Sequence, residues 1–543
     1  MTALPLPRIV VGRRRWQFAG LVTIGVAQGA LAVVWSLAVS EALRRAGQGH
    51  GAGAVVLGGL VALAVATAAL LGAERVLAER LGQSWVNQVR VTVFEHVTRS
   101  PVREHWYSTG ATTLRLVGDA SALRRWASLG LARLAVAVPM LAGAITALVL
   151  VAPLIGLVVT VVVAAGAVVT GLLTPKLRAA NRVSRRRRAR IAARVTELVS
   201  ARLVMQAFGQ EQREVRRLRR QGARLAESMV ERAGLIGVVR AVVEATTLLS
   251  MVAALVLAAT AGAGAAELGS AIAVLGMMAT PLRDLSRVTE YHAAARVARE
   301  KLVELLARPV RRTGVAAAPS GAGRLELRGV CLDGLFGPLH ATAGGGATVA
   351  LTGPNGSGKS TLLSVLAGLE RPTTGAVLLD GTPLHDVDPV ELRKLVSLVT
   401  PDLPLLRASI ADNIRYAEPR ADEARVAEVV TRCGLDDVLR TLPDGIHTRV
   451  GEGGRGLSTG QRQRVAMARA LLPNPRVLLL DEADAHLDRA ALATVDRVLA
   501  GFPGTAVVVT HRPDSTGAAT AVWSLERGQL RVAERNSVWA GQL

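Results

Sequence analysis

The stretch TVALTGPNGSGKSTLLSVLA, residues 348–367, decides the fold of the C-terminal part. Residues 348–352 read as a short buried strand, and residues 361–367 as the opening of a helix. Between them, Gly353, Pro354, Asn355, Gly356, Ser357, Gly358, Lys359, Ser360 and Thr361 fit the pattern G-x-x-x-x-G-K-[ST] in its required strand–loop–helix context. Glycine lets backbone N–H groups turn inward around phosphates, and the helix N-terminus adds a partial positive charge. Lys359 then reaches the β- and γ-phosphates of a nucleotide, and Ser360 binds magnesium.

Downstream, RVLLLDE at 476–482 places four apolar residues in a buried strand that ends on two carboxylates. Asp481, at the strand tip, suits a magnesium ligand. Glu482 would orient or deprotonate an attacking water. The run LSTGQRQRVAMARALL begins at Leu457, with Ser458 placed to cap a helix whose open end faces a phosphate. His511 follows a strand at 505–510 and is placed to contact the γ-phosphate. Strand-like runs at 325–330, 348–352, 376–380, 477–480 and 505–510, alternating with helical patterns, predict an α/β domain with a largely parallel central sheet.

Upstream the composition changes. Of 543 residues, 50% are hydrophobic and 20% charged, which excludes disorder and argues against a purely cytosolic enzyme. Six apolar stretches run near 18–43, 54–72, 129–150, 154–174, 246–260 and 268–282. Crossing hydrocarbon takes about 20 residues, so the first four suffice alone and the last two extend by helical continuation. The first stretch follows Arg13–Arg15 but is too long for a signal core, and reads as a retained anchor. The cavity-facing residues on these spans are expected to be Ala, Val, Leu and Gly. A Pro/Gly/Ala-rich segment at 307–323 reads as a linker. The chain thus divides into a membrane unit, 1–306, a linker, and a nucleotide domain, 324–543.

The net charge is +23, and only four of the 65 basic residues are lysines. The segment 175–232 holds seventeen basic residues, whereas the loops on the opposite side hold only Arg44 and Arg45. This asymmetry places the N-terminus and the long polar segments in the cytoplasm, beside anionic headgroups, and implies no nucleic-acid partner. Within 185–224, Ile191, Val195, Leu198, Val199, Leu203 and Val204 recur at helical spacing and predict a buried stripe. Arg240 and Glu244 read as an i,i+4 pair. The two cysteines, Cys331 and Cys433, provide neither a disulfide framework nor a metal site, and read as buried thiols.

Together these motifs resemble the nucleotide-binding domain of ABC transporters. GPNGSGKST is similar to Walker A, LSTGQ (Leu457, Ser458, Thr459, Gly460, Gln461) to the signature, and VLLLDE to Walker B. Residues 485–488, AHLD, resemble the D-loop, and Thr510–His511 the H-loop. The upstream half resembles the exporter (type IV) fold, with coupling regions from Trp106 and at 196–211, and VGEGG at 450–454 resembles the exporter-specific loop. Three positions depart from the pattern. Thr459 replaces a signature glycine, Pro401 stands at the Q-loop glutamine, and Gly334 stands where an adenine-stacking aromatic is expected, leaving Phe336 as the nearby candidate.

The resemblance implies a six-span α-helical transmembrane bundle followed by an α/β P-loop ATPase domain. It further implies ATP and Mg2+ as cofactors, and a head-to-tail dimer in which the signature completes the partner's site. A complementary second half-transporter is favoured over a second copy. The expected activity is ATP-driven export of a small hydrophobic or amphipathic compound, peptide or lipid across the cytoplasmic membrane. Import with an exporter fold, as for siderophores, and a membrane-anchored ATP-binding regulator are the alternatives.

Overall fold

A computed structural model describes residues 6–48, 54–100, 118–260, 264–308, 310, 314–401, 403–481, 489–510 and 519–534. The chain divides near Arg308 into a helical unit and a sheet-containing unit.

Among the described residues, the helical unit holds six helices long and apolar enough to cross a membrane: α1 (Arg13–Ala46), α2 (Ala54–Thr98), α3 (Ala120–Val151), α4 (Pro153–Ser200), α6 (Glu211–Thr260) and α7 (Ala265–Leu306). A short α5, Arg202–Ala207, reverses the chain between α4 and α6. The 50 residues of α6 would extend about 75 Å, against a hydrocarbon thickness of about 30 Å. The short apolar runs at 246–260 and 268–282 are therefore parts of much longer helices, as helical continuation requires. Arg44 and Arg45, in the last turn of α1, both bind Glu41, at 2.7 and 2.6 Å.

Helix contact in this unit depends on small residues, which let backbones approach where lipid supplies no hydrophobic drive. A Cβ on Gly143 of α3 would lie 2.5 Å from Gly29 Cα of α1, so the two backbones touch there. Trp126 begins a π-helical turn in α3, and its ring lies 4.9 Å from that of His292 on α7.

Two expectations are corrected. The stripe from Ile191 to Val204 is not buried: Val199, Leu203 and Val204 are exposed, because periodicity marks an apolar face without supplying a neighbour to cover it. Glu244 is not the i,i+4 partner of Arg240; it pairs across helices with Arg283 at 3.2 Å.

In the second unit, β3 (Thr348–Thr352), β8 (Thr505–Val509), β7 (Val477–Leu480) and β6 (Val396–Val399) run parallel as neighbours, continued by β9 (Ala521–Glu526) and an antiparallel β10 (Gln529–Glu534). The runs at 325–330 and 376–380 do not join this sheet. They lie in β1 (Leu325–Leu332) and β4 (Thr374–Leu379), which pair antiparallel in a second sheet with β2 (Phe336–Ala343) and β5 (Thr382–Pro383). Side chains alternate across the parallel sheet. Leu479 and Val507 pack with Leu362 and Leu366 on one face, while Leu478, Leu480 and Val508 pack with Val465 and Val498 on the other.

Part of the linker segment is fastened to this unit. Asp380 accepts from the Gly323 and Arg324 amides, at 3.1 and 2.8 Å, and Ala316 bridges to Val387. Cys433 is buried, and desolvation pushes its thiol up to about 12. Cys331 is only half-buried and donates to the Phe336 carbonyl.

Overpacking a tight helix contact costs about 1–3 kcal/mol. Gly143→Leu is therefore expected to lower the thermal midpoint of the detergent-solubilised protein by several degrees. Gly171→Leu, on α4 where a Cβ meets open space, should leave it unchanged. Equal shifts at both sites would contradict the glycine contact.

Candidate nucleotide site

The parallel register sets the site. Leu351 pairs with Val509, Leu480 with Val508, and Val399 with Leu480. The chain therefore leaves β3, β8, β7 and β6 at one sheet edge, bringing the 353–358 loop, Thr510, Asp481 and Thr400 to the same side. With strands about 4.8 Å apart, the exits of β3 and β7 are about 10 Å apart. In open α/β sheets this carboxyl edge is where ligands bind.

The loop adopts a shape that glycine permits. Gly353 and Gly358 have φ of 144° and 100°, and a Cβ at Gly353 would lie 2.2 Å from the Leu525 carbonyl oxygen. Gly358 caps the helix α8, Lys359–Leu366. Lys359 is buried, and its Nζ donates to the carbonyls of Gly353 and Pro354 at 2.8 and 3.0 Å, which folds the ammonium into the hollow of the loop. Ser357 Oγ is buried with no hydrogen-bond partner among the described residues. A buried ammonium, an unmatched hydroxyl and inward amides fit a polyphosphate. Asp481 is buried at the end of β7, and Ser360 is exposed on the first turn of α8. This oxygen pair is the donor chemistry that magnesium prefers.

Ser458 caps the helix α9, Thr459–Leu471. Its side chain accepts from the Gln461 amide at 3.2 Å, and the Gln461 carboxamide accepts from the Ser458 amide at 2.8 Å. Ser458 and Thr459 are exposed, so this helix end is open to solvent. A cavity of about 430 Å³ brings Thr459 and Gln463 of α9 together with Pro401 and Asp481. Gln463 was visible in the 457–472 run, but only the tertiary fold places it beside Asp481 and the proline at the Q-loop position.

Phe336 does not offer an adenine platform. It is buried in the sheet core, close to where a Cβ on Gly358 would stand. Glu482, the 485–488 segment and His511 lie outside the described residues, as does most of the coupling region beginning at Trp106.

The helical unit contains a cavity of about 360 Å³ whose lining corrects the expectation of Ala, Val, Leu and Gly alone. Gln28 donates to Glu74 at 3.2 Å, and Arg133 pairs with Asp284. Ionisable side chains within spans mark functional paths. These four come from four different helices, so no local pattern announced them.

Residues 336–485 match the ABC transporter family, and residues 19–282 match the ABC transporter transmembrane region. The chain belongs to the ABC transporter family. It carries the membrane-spanning and nucleotide-binding regions of an ABC transporter in one polypeptide. Among curated ABC transporters it is 37% identical over 306 residues to the mycobactin import ATP-binding/permease protein IrtB of Mycobacterium tuberculosis, covering 53% of this chain and 52% of that protein. It is 31% identical over 409 residues to the chloroplastic ABC transporter B family member 29 of Arabidopsis thaliana, covering 71% and 63%. The chain thus spans from about half to under two thirds of the length of these relatives. Its fold matches that of a bacterial Atm1-family ABC exporter solved with ATP bound, with a TM-score of 0.81 at 23% identity over 97% of both chains.

Lys359→Ala removes the buried ammonium from the loop. It is expected to weaken binding of ATP at least tenfold in calorimetric titration, equivalent to about 1.4 kcal/mol, with an unchanged thermal midpoint in the absence of nucleotide. Retained affinity would remove Lys359 from the site.

Proposed function

We propose that this chain is half of an ATP-driven transporter for a small amphipathic compound, peptide or lipid. Residues 1–306 form its membrane unit, 324–543 its motor and 307–323 the connection. The carrying observation is the convergence of the glycine loop, the Lys359 ammonium and Asp481 at one sheet edge, in a chain with six helices long enough to span a bilayer. The charge asymmetry supports a cytoplasmic N-terminus and motor in the cell membrane.

In this reading the amides of 353–358 and Lys359 hold the β- and γ-phosphates of ATP. Ser360 and Asp481 would hold magnesium, which when bound offsets phosphate charge. Glu482 orients the attacking water, and His511 contacts the γ-phosphate. The N-terminal end of the Thr459–Leu471 helix, at Ser458–Gly460, completes the site of a second half-transporter. The proline at position 401 and the buried Phe336 support a complementary second chain with fuller motifs. Closure of two such motors would draw the helical units from inward-open to outward-open.

The Gln28–Glu74 and Arg133–Asp284 contacts in the helical cavity support an amphipathic rather than a purely hydrophobic cargo. The likeness to an exporter fold supports export. A second reading, import, is supported by the likeness to IrtB, whose name gives mycobactin import.

Inside-out vesicles separate these directions: ATP-dependent uptake means export, ATP-dependent loss of preloaded cargo means import, and neither would leave a regulator. Glu482→Gln is expected to retain ATP while hydrolysis falls at least a hundredfold, or about 2.7 kcal/mol in barrier. Wild-type turnover in that variant would take Glu482 out of its role.

A further inference from the structure

A second cavity in the helical unit, about 370 Å³, lies between α4 and α7 and belongs to neither the nucleotide site nor the Arg133–Asp284 cavity. Arg178, Arg182, Arg185 and Arg186 line it from α4, and Arg296 and Glu300 from α7. The α4 arginines recur at i, i+4 and i+7/i+8, so one helix face presents all four.

Charge matching in this region is uneven. Arg296 is bound to Glu300 at 3.0 Å. Glu290 on α7, whose charge acts on Arg185, is bound by Arg232, which also donates to Asn181. Among the described residues, none of the four α4 arginines has a carboxylate within ion-pair distance. A concave surface with five guanidinium groups and one carboxylate, which is already paired with Arg296, leaves the four α4 guanidinium groups without a matching anion.

Depth sets the reach a ligand needs: the cavity opens at headgroup level and extends to the cytoplasmic side, within reach of a head that projects from the leaflet. Counted from Pro153, the first residue of α4, about 20 residues cross the hydrocarbon. Arg178 then lies about 8 Å past the inner boundary, at the cytoplasmic edge of the headgroups, and Arg182, Arg185 and Arg186 lie about 14, 18 and 20 Å past it. On the same count from Ala265 of α7, Arg296 lies about 16 Å past it. Guanidinium groups bind carboxylate and phosphate in planar, two-point geometry, which a solvated ammonium does not reproduce.

We propose that this cavity is an oxyanion site that takes the phosphate or carboxylate head of an amphipathic molecule whose tail lies in the inner leaflet. The assignment rests on the membrane orientation and transport reading above, and narrows the cargo class to acidic amphipaths. The same head chemistry occurs on anionic phospholipids, so the test separates a resident lipid from a free ligand.

His292 also lines the cavity, and its ring contacts Trp126, which makes Trp126 emission a local reporter. The full-length protein in phosphatidylcholine nanodiscs is titrated with dodecyl phosphate, and neutral dodecyl maltoside serves as control. Trp126→Phe supplies the background of the other tryptophans. Dodecyl phosphate should give a saturable change that the maltoside does not. Arg182→Gln/Arg185→Gln should weaken it at least tenfold, and the Lys/Lys pair should recover part of the loss. Should the Gln pair fail to fold, Arg178→Gln alone carries the test, with a smaller loss expected.

In discs containing phosphatidylglycerol, a resident lipid would already produce the change and block the titration, whereas a free-ligand site would still respond. Either result supports an oxyanion site. Equal responses to phosphate and maltoside, or an unaltered titration in the folded Arg variants, would overturn it. ATP hydrolysis in the same discs is read separately. Hydrolysis without phosphate selectivity sinks this proposal alone, and selectivity without hydrolysis sinks the transport reading alone.

Discussion

The parallel register of β3, β8, β7 and β6 is the constraint on which the nucleotide site depends. Side chains alternate along a strand, so a one-residue slip of β7 would exchange its two faces and turn Asp481 away from its present position. The charged flanks oppose that slip: it would draw Arg476 or Asp481 into a strand buried on both faces, where Leu478 and Leu480 fill one core cluster and Leu479 fills the other. The ladder continues past the last strand residue, where the Asp481 amide donates to the Val399 carbonyl at 2.9 Å. That bond ties the site's carboxylate to the segment ending in Pro401. The chemistry of the loop is local, but its alignment with the carboxylate is a property of the sheet.

Legibility in the sequence follows the same division. The 353–361 loop could be read directly, because each residue type answers a local demand: positive φ at Gly353 and Gly358, and a cation at Lys359, where the helix starts. The capping role of Ser458 was equally local. Strand partners were not. The segments 325–330 and 376–380 have strand composition, but nothing within them specifies that they pair with each other rather than with β3. The strand β2, FGPLHATA, contains Gly, Pro and His and lacks alternating burial, so it gave no strand signal. Phe336 looked available because of its chain position next to Gly334, and its burial appears only once β2 packs under the loop.

In the helical unit, apolar runs located the spans because hydrocarbon imposes composition directly. They could not reveal helix length, since the polar continuations of α6 and α7 obey packing rather than lipid. They also hid the polar and ionisable residues. Gln28 and Glu74 are separated by 46 residues, and Arg133 and Asp284 by more, so each looked like an isolated polar position. The stripe from Ile191 to Val204 failed for the opposite reason: its pattern was clear, but the cover it implied is not supplied within the described residues.

The two cavities of this unit differ in a way that bilayer electrostatics explains. An unpaired charge in hydrocarbon is expensive, and breaking a buried pair leaves an uncompensated ion. The Arg133–Asp284 cavity accordingly contains its own counter-charges, and Glu74 accepts from Gln28. Beyond the boundary water lowers that cost, and the arginines of α4 can stand without carboxylate partners. A molecule with one acidic end and a longer apolar body meets both conditions, since its head neutralises the outer arginines and its body leaves the inner pairs intact. A neutral hydrophobe would leave the arginine cavity unmatched, and a free small anion would gain nothing from the spans. On the proposed oxyanion site, the charge pattern along α4 would constrain the cargo more tightly than the apolar composition of the spans does.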